Sequence, residues 1–195
     1  ITSATGIQNS TLNAGDVMSV TVTMSEGTTV TGTPQLSLNI GGTSVLANYA
    51  SGSGTPTIVF KYTVLSGQTD LNGVSIGANS LALNGGTLVD AAGNAATVTH
   101  TAIADNAGYL VDNTAPTLAT TTYSAGENAT AVATLAGTDA GAITYSLGGA
   151  GADNALFSIT SSGALTFLTA KNFEAPGSTA STNAYAITVN LTDAA

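Results

Sequence analysis

The chain has 195 residues, a formal net charge of −9 and only 7% charged residues, where an ordinary domain carries about 25%. Eleven Asp or Glu face two cations, Lys61 and Lys171, which excludes a nucleic-acid interface and attraction to anionic membrane surfaces. Cysteine is absent, so disulfides and thiolate metal sites are excluded; neither a signal peptide nor an apolar run of about 18 residues marks membrane insertion.

Residues 1–5 read as a first strand and Asn9 to Gly15 as a turn-rich connection. From Asp16 to Met24, Val20, Val22 and Met24 alternate with Thr21 and Thr23, the period-2 pattern of a half-buried strand, which Glu26 and Gly27 are expected to end. Gln35 to Ile40 is the next strand. Gly41 and Gly42 make a tight hairpin into Ser44 to Tyr49. Thr57 to Leu65 follows, then a loop holding Asp70. Short apolar pieces at Val74 to Ile76 and Ser80 to Leu83 lead to Leu88 and Val89. The turn Asp90-Ala91-Ala92-Gly93-Asn94 comes next. Ala95 to His100 and Tyr109 to Val111 are predicted to close a first domain. No stretch keeps a helical period.

The text changes across Val111 to Thr117. Pro116 fixes its own φ and biases Ala115 toward extended backbone, so this stretch reads as a semi-rigid joint. Beyond it the plan repeats. Ala125-Gly126-Glu127 echoes Ala14-Gly15-Asp16, and Asp193-Ala194-Ala195 echoes Asp90-Ala91-Ala92. Strand candidates are Val132 to Leu135, Thr144 to Leu147, Leu156 to Ile159, Leu165 to Leu168 and Tyr185 to Leu191. The pattern predicts an all-β chain of two tandem immunoglobulin-like sandwiches, 1–112 and 118–195, with 113–117 as linker. The second is expected to lack its last strand, leaving a sheet edge that another copy of the chain could fill by strand addition.

In such a sandwich alternate loops fall at alternate ends. That rule sends Glu26 and Asp90 to the outer end of the first domain. Asp16, Asp70 and Asp112, with Asn113, go to its inner end. Asp139 and Asp193 go to the near end of the second domain, Glu127 and Glu174 to its far end. Asp105 and Asp153 are left as solvated acids. Carboxylates gathered without cations repel, by on the order of 4 kcal/mol per close pair at an effective dielectric of 20. A divalent cation reverses that sign. Calcium suits irregular oxygen sets best, while zinc has only His100 to bind. Asp16 and Asp90 have an alternative role as turn caps.

Residues 1–112 resemble the bacterial Ig-like repeats of large surface adhesins. The matching text is Ala14-Gly15-Asp16-Val17, Val20 to Glu26, Tyr49 to Gly54, Asp90 to Asn94 and Val111 to Thr117. Residues 117–195 resemble a cadherin-like repeat of the same kind of protein, through Gly126-Glu127-Asn128, Thr138-Asp139-Ala140, Ala155 to Ile159, Gly163 to Phe167, Asn172 to Pro176 and Leu191-Thr192-Asp193. The resemblance implies calcium at the junctions, with Glu127 and Glu174 at the far one and Asp139 and Asp193 at the near one. The family often has Asp-x-Asp where this chain reads Asp139-Ala140-Gly141, which implies one ligand fewer. Partners would be neighbouring repeats of the same polypeptide, and the location extracellular, at a bacterial surface or secreted.

The expected function is therefore a stalk that holds a distal domain away from the cell. Two alternatives remain: a fibre subunit completed by donor-strand exchange, and a module whose Thr-rich faces bind glycan or another surface. Gly-x-Ser-x-Gly is absent and no nucleophile–base arrangement is visible, so the reading is not an enzyme. His100 is expected to be an exposed strand residue. The sequons at Asn9, Asn128 and Asn190 are chance matches in a bacterial chain.

Overall fold

The computed structural model describes residues 1, 3–7 and 10–193. Asn9, which opens one sequon, lies outside them, as do Ala194 and Ala195. The chain is all-β and divides into two compact units, the first ending at Thr114 and the second beginning at Ala115.

The first unit contains β1 (Ser3–Thr5), β2 (Thr11–Leu12), β3 (Val17–Thr31), β4 (Gln35–Ile40), β5 (Thr43–Ser51), β6 (Thr55–Thr63), β7 (Leu81–Ala82), β8 (Thr87–Val89) and β9 (Leu110–Val111). An antiparallel sheet runs β1-β3-β6-β5-β4-β7, and β8 pairs with the far half of β3. Alternation builds this sheet: Met18 and Val20 of β3 lie in register with Tyr62 and Phe60 of β6, and Met18, Val20, Ile58 and Phe60 are buried. Each such side chain contributes roughly 1.5–3 kcal/mol by leaving water. Gly41 and Gly42 both have positive φ, +55° and +82°, as a two-residue hairpin loop requires. Parallel pairing of β2 with β9 sets Leu12 opposite Val111, and both are fully buried. The start and end of the unit are thereby tied together.

Three expectations need correction. First, β3 does not stop at Glu26 and Gly27. It continues to Thr31, with an irregularity in its pairing to β6 between Thr23 and Thr28. Gly27 is a point of close approach rather than a stop: a Cβ there would meet the Gly54 carbonyl at 3.1 Å. Thr28 and Val30 resume the alternation, and residues 29–31 pair with β8. Second, 95–100 is not a strand. Its backbone contacts are scattered: an isolated bridge of Ala95 to Val89, Ala96 N–H to the Leu88 carbonyl, and at His100 an N–H to the Asn79 side chain and a carbonyl taking the Asn79 N–H, so isolated bonds replace a ladder. Third, His100 is half-buried and off any strand. Its Nε2 accepts the Ser80 N–H at 2.9 Å, which leaves the Nδ1 proton for the Thr101 carbonyl at 2.8 Å.

The second unit contains β10 (Thr117–Leu118), β11 (Ala131–Thr134), β12 (Gly137–Thr138), β13 (Thr144–Leu147), β14 (Phe157–Ile159), β15 (Ala164–Phe167) and β16 (Val189–Thr192), with a 3-10 turn at Asn154–Leu156. These form three small antiparallel sheets, β10-β12, β11-β15-β14 and β13-β16. Leu135, Phe157, Leu165 and Phe167 are its buried core, and Tyr185 packs edge-on against both Phe rings. The last strand begins later than its alternation predicts. Over 186–188 side chains replace a strand partner: the Asp153 carboxylate takes the Ala186 N–H and the Asn154 side chain takes the Thr188 N–H.

Candidate functional site

Backbone hydrogen bonds gather three loops of the first unit at one end. Asp16 C=O accepts the Val64 N–H at 2.8 Å. Asp70 exchanges backbone bonds with Val111 at 2.7 and 2.9 Å, and the Asp112 N–H reaches the Leu12 carbonyl at 2.9 Å. Asp16, Asp70, Asp112 and Asn113 thus share an end, but each of their side chains faces a backbone N–H. Asp70 is buried, its two oxygens accepting the Gly41 and Gly73 N–H groups, both at 2.8 Å. Asp16 accepts from Asn13 at 2.9 Å. Asp112 is buried and accepts the Thr114 N–H at 2.9 Å, which fixes the start of the linker.

Asn113 completes this arrangement. Its Oδ1 accepts the Ala14 N–H at 2.6 Å, and its Nδ2 donates to the Gln68 carbonyl at 2.7 Å. One side chain therefore clips the linker root to two loops of the first unit. A buried carboxylate bonded to N–H donors is electrostatically satisfied without any cation.

At the other end, Glu26 and Asp90 line one cavity of about 640 Å³ together with Asn94 and His100. Glu26 is exposed. Asp90 is a turn cap: its carboxylate accepts the N–H groups of Ala92 and Asn94, both at 2.8 Å, and the Asn94 side-chain N–H at 2.7 Å. The Asn94 side chain, then its backbone N–H, hold this carboxyl below the usual carboxylate range.

In the second unit Glu127 lies beside the loop that carries Glu174, with the Phe173 N–H 3.5 Å from its Oε1, and both acids are exposed. Asp139 follows β12, and the loop it opens leads into Thr144 of β13. Asp193 follows Thr192, the residue paired with Thr144, so chain order brings the two acids to one end of the unit. Both Asp139 carboxylate oxygens are buried and lack a hydrogen-bond partner among the described residues. That is a costly state for a carboxylate and the one that a cation relieves.

The residues fit a calcium ion unequally. Asp139 fits, because its oxygens have nothing else to bind. Glu127 and Glu174 are accessible. Asp70, Asp90 and Asn113 already present oxygens to N–H donors. Among the described residues no group of three or more His, Asp or Glu is drawn together tightly enough to hold an ion.

Asp153, read from sequence as solvated, is buried. Its oxygens accept the Thr179 and Ala186 N–H groups at 2.6 and 2.7 Å, and these two bonds, Thr179 first, hold the carboxyl below its ordinary range. No local pattern could have found it, because its partners lie 26 and 33 residues away. Asp105, the other acid read as solvated, is exposed and accepts a bond from the Asn72 side chain.

No family model, curated protein or solved structure matches the chain. Among the described residues no helix is long and apolar enough to cross a membrane.

Proposed function

We propose that this chain is a spacer, a stalk segment of an extracellular bacterial adhesin built from immunoglobulin-like and cadherin-like repeats. The observation that carries the reading is the clipped linker root. Two compact β units in tandem suit a spacer only if the connection between them resists bending. Asp112 and Asn113 support this on the first-unit side, where hydrogen bonds to Thr114, Ala14 and Gln68 fix the root of the linker. The text resemblance of the two halves to adhesin repeats supports the same reading, as does the near absence of cations, which disfavours anionic partners.

Calcium belongs to this proposal on the second-unit side. Asp139 would be its principal ligand, with Asp193 and backbone carbonyls nearby; Glu127 and Glu174 would serve the other end. When bound, the ion supplies charge neutralisation and stiffening. Calorimetric titration with calcium tests this. Binding is expected, and Asp139→Asn should weaken it about tenfold or more by halving the local charge. No heat at millimolar calcium would remove calcium from the account while leaving the hydrogen-bonded linker root in place.

A further inference from the structure

In the first unit β9 is bonded on both edges. Leu110 and Asp112 donate to the Ser10 and Leu12 carbonyls, while Val111 exchanges bonds with Asp70 and the Tyr109 carbonyl accepts the Val74 N–H. It fills a slot beside the opening segment, and Val111 closes the core there with no exposure.

The second unit has an open cleft, and no such strand fills it among the described residues. Residues 121–125, which follow β10, pair with no strand, and their backbone makes no hydrogen bond among the described residues. Facing it is 184–187. Ala186 and Thr188 turn their backbone groups toward Asp153 and Gly148. The alternate residues Tyr185 and Ile187 therefore present theirs to the other edge, where they too have no partner among the described residues. Between the two flanks runs a cleft of about 500 Å³ lined by Tyr123, Val132, Phe157, Leu165, Phe167 and Ile187. An apolar floor with main-chain donors and acceptors on both walls is chemistry that a polypeptide strand satisfies and a compact small molecule does not.

The geometry points to a strand acceptor. The cleft takes a peptide in extended conformation, parallel to 121–125 as β9 is to β2, with apolar side chains at alternate positions entering between Phe157, Leu165 and Phe167. The first unit's own closing strand shows the chemistry required: Tyr109 and Val111 face inward, separated by Leu110. The occupant is a peptide segment of that type. Glu127 and Lys171 also line the cleft, so the test below is run in chelator, which keeps its outcome separate from the calcium reading.

The test is amide hydrogen exchange on the whole chain with about 1 mM of a synthetic peptide, a concentration that fills a site of sub-millimolar Kd. The probe copies residues 106–113, Asn-Ala-Gly-Tyr-Leu-Val-Asp-Asn, and the control has the same composition in scrambled order. The native-order peptide should slow exchange at the Tyr185 and Ile187 amides roughly tenfold or more, and the scrambled one should not. No slowing by either peptide, or equal slowing by both, overturns the proposal. Slowing without peptide that grows with protein concentration, together with a dimer in sedimentation, overturns the peptide occupant in favour of a second copy.

Discussion

The two units build sandwiches from similar text by different means. Among the described residues the first buries fifteen hydrophobic side chains in one cluster, and the second buries four. The first is mostly aliphatic and closed by β9. The second leans on three packed aromatics, Phe157, Phe167 and Tyr185, with Phe157 and Phe167 ring centroids 4.4 Å apart and Tyr185 edge-on to both, and it keeps an open cleft beside them. The difference teaches that similar turns and strand starts can lead to one broad sheet in the first unit and three small ones in the second. A unit with few buried side chains and an open flank has less to lose from any single truncation there.

The largest effect should come from Phe60→Ala. That ring is fully buried at the centre of the first core, and its loss should cost about 4 kcal/mol in denaturant unfolding. Asp70→Ala comes next, at about 3 kcal/mol, because it orphans the buried Gly41 and Gly73 N–H groups. Phe167→Ala in the second unit should cost only about 2 kcal/mol, since the space it leaves already opens to the cleft. Equal losses for Phe60→Ala and Phe167→Ala would break the comparison. Asn113→Ala should cost about 1 kcal/mol yet speed amide exchange at Ala14 and along 113–117, separating linker clipping from core stability.

Acid is the gentlest probe. Asp90 and Asp153 have folded pKa values depressed by N–H donors. Their contributions are complete above the unfolded carboxylate value and vanish as pH falls through the folded one. Unfolding midpoints of both units should therefore decline below about pH 4. Asp153→Asn should flatten that decline in the second unit only. An unchanged slope would show that its bonds to Thr179 and Ala186 carry no pH-dependent stability.

Much of the architecture was legible because β structure writes its period into sequence. β4 and β13 fall where alternation puts them, and Gly41-Gly42 names its own hairpin. The misreadings share one cause, which is that non-local contacts are silent in local text. Glu26-Gly27 has the composition of a turn, but Gly54 packs against it and the strand runs through. The sharing of one end by Asp16, Asp70 and Asp112 followed from loop order. What each carboxylate faces did not, because one N–H partner of Asp70 and both of those of Asp153 lie tens of residues away. The unpartnered burial of Asp139 was likewise invisible, since burial is set by tertiary packing and not by local text.

The most direct test of the spacer is small-angle X-ray scattering on the 195-residue chain in calcium and in chelator. The account predicts a longer, better-defined maximum dimension in calcium, and loss of that gain in Asp139→Asn. Identical profiles in both conditions, with calcium bound, would contradict it.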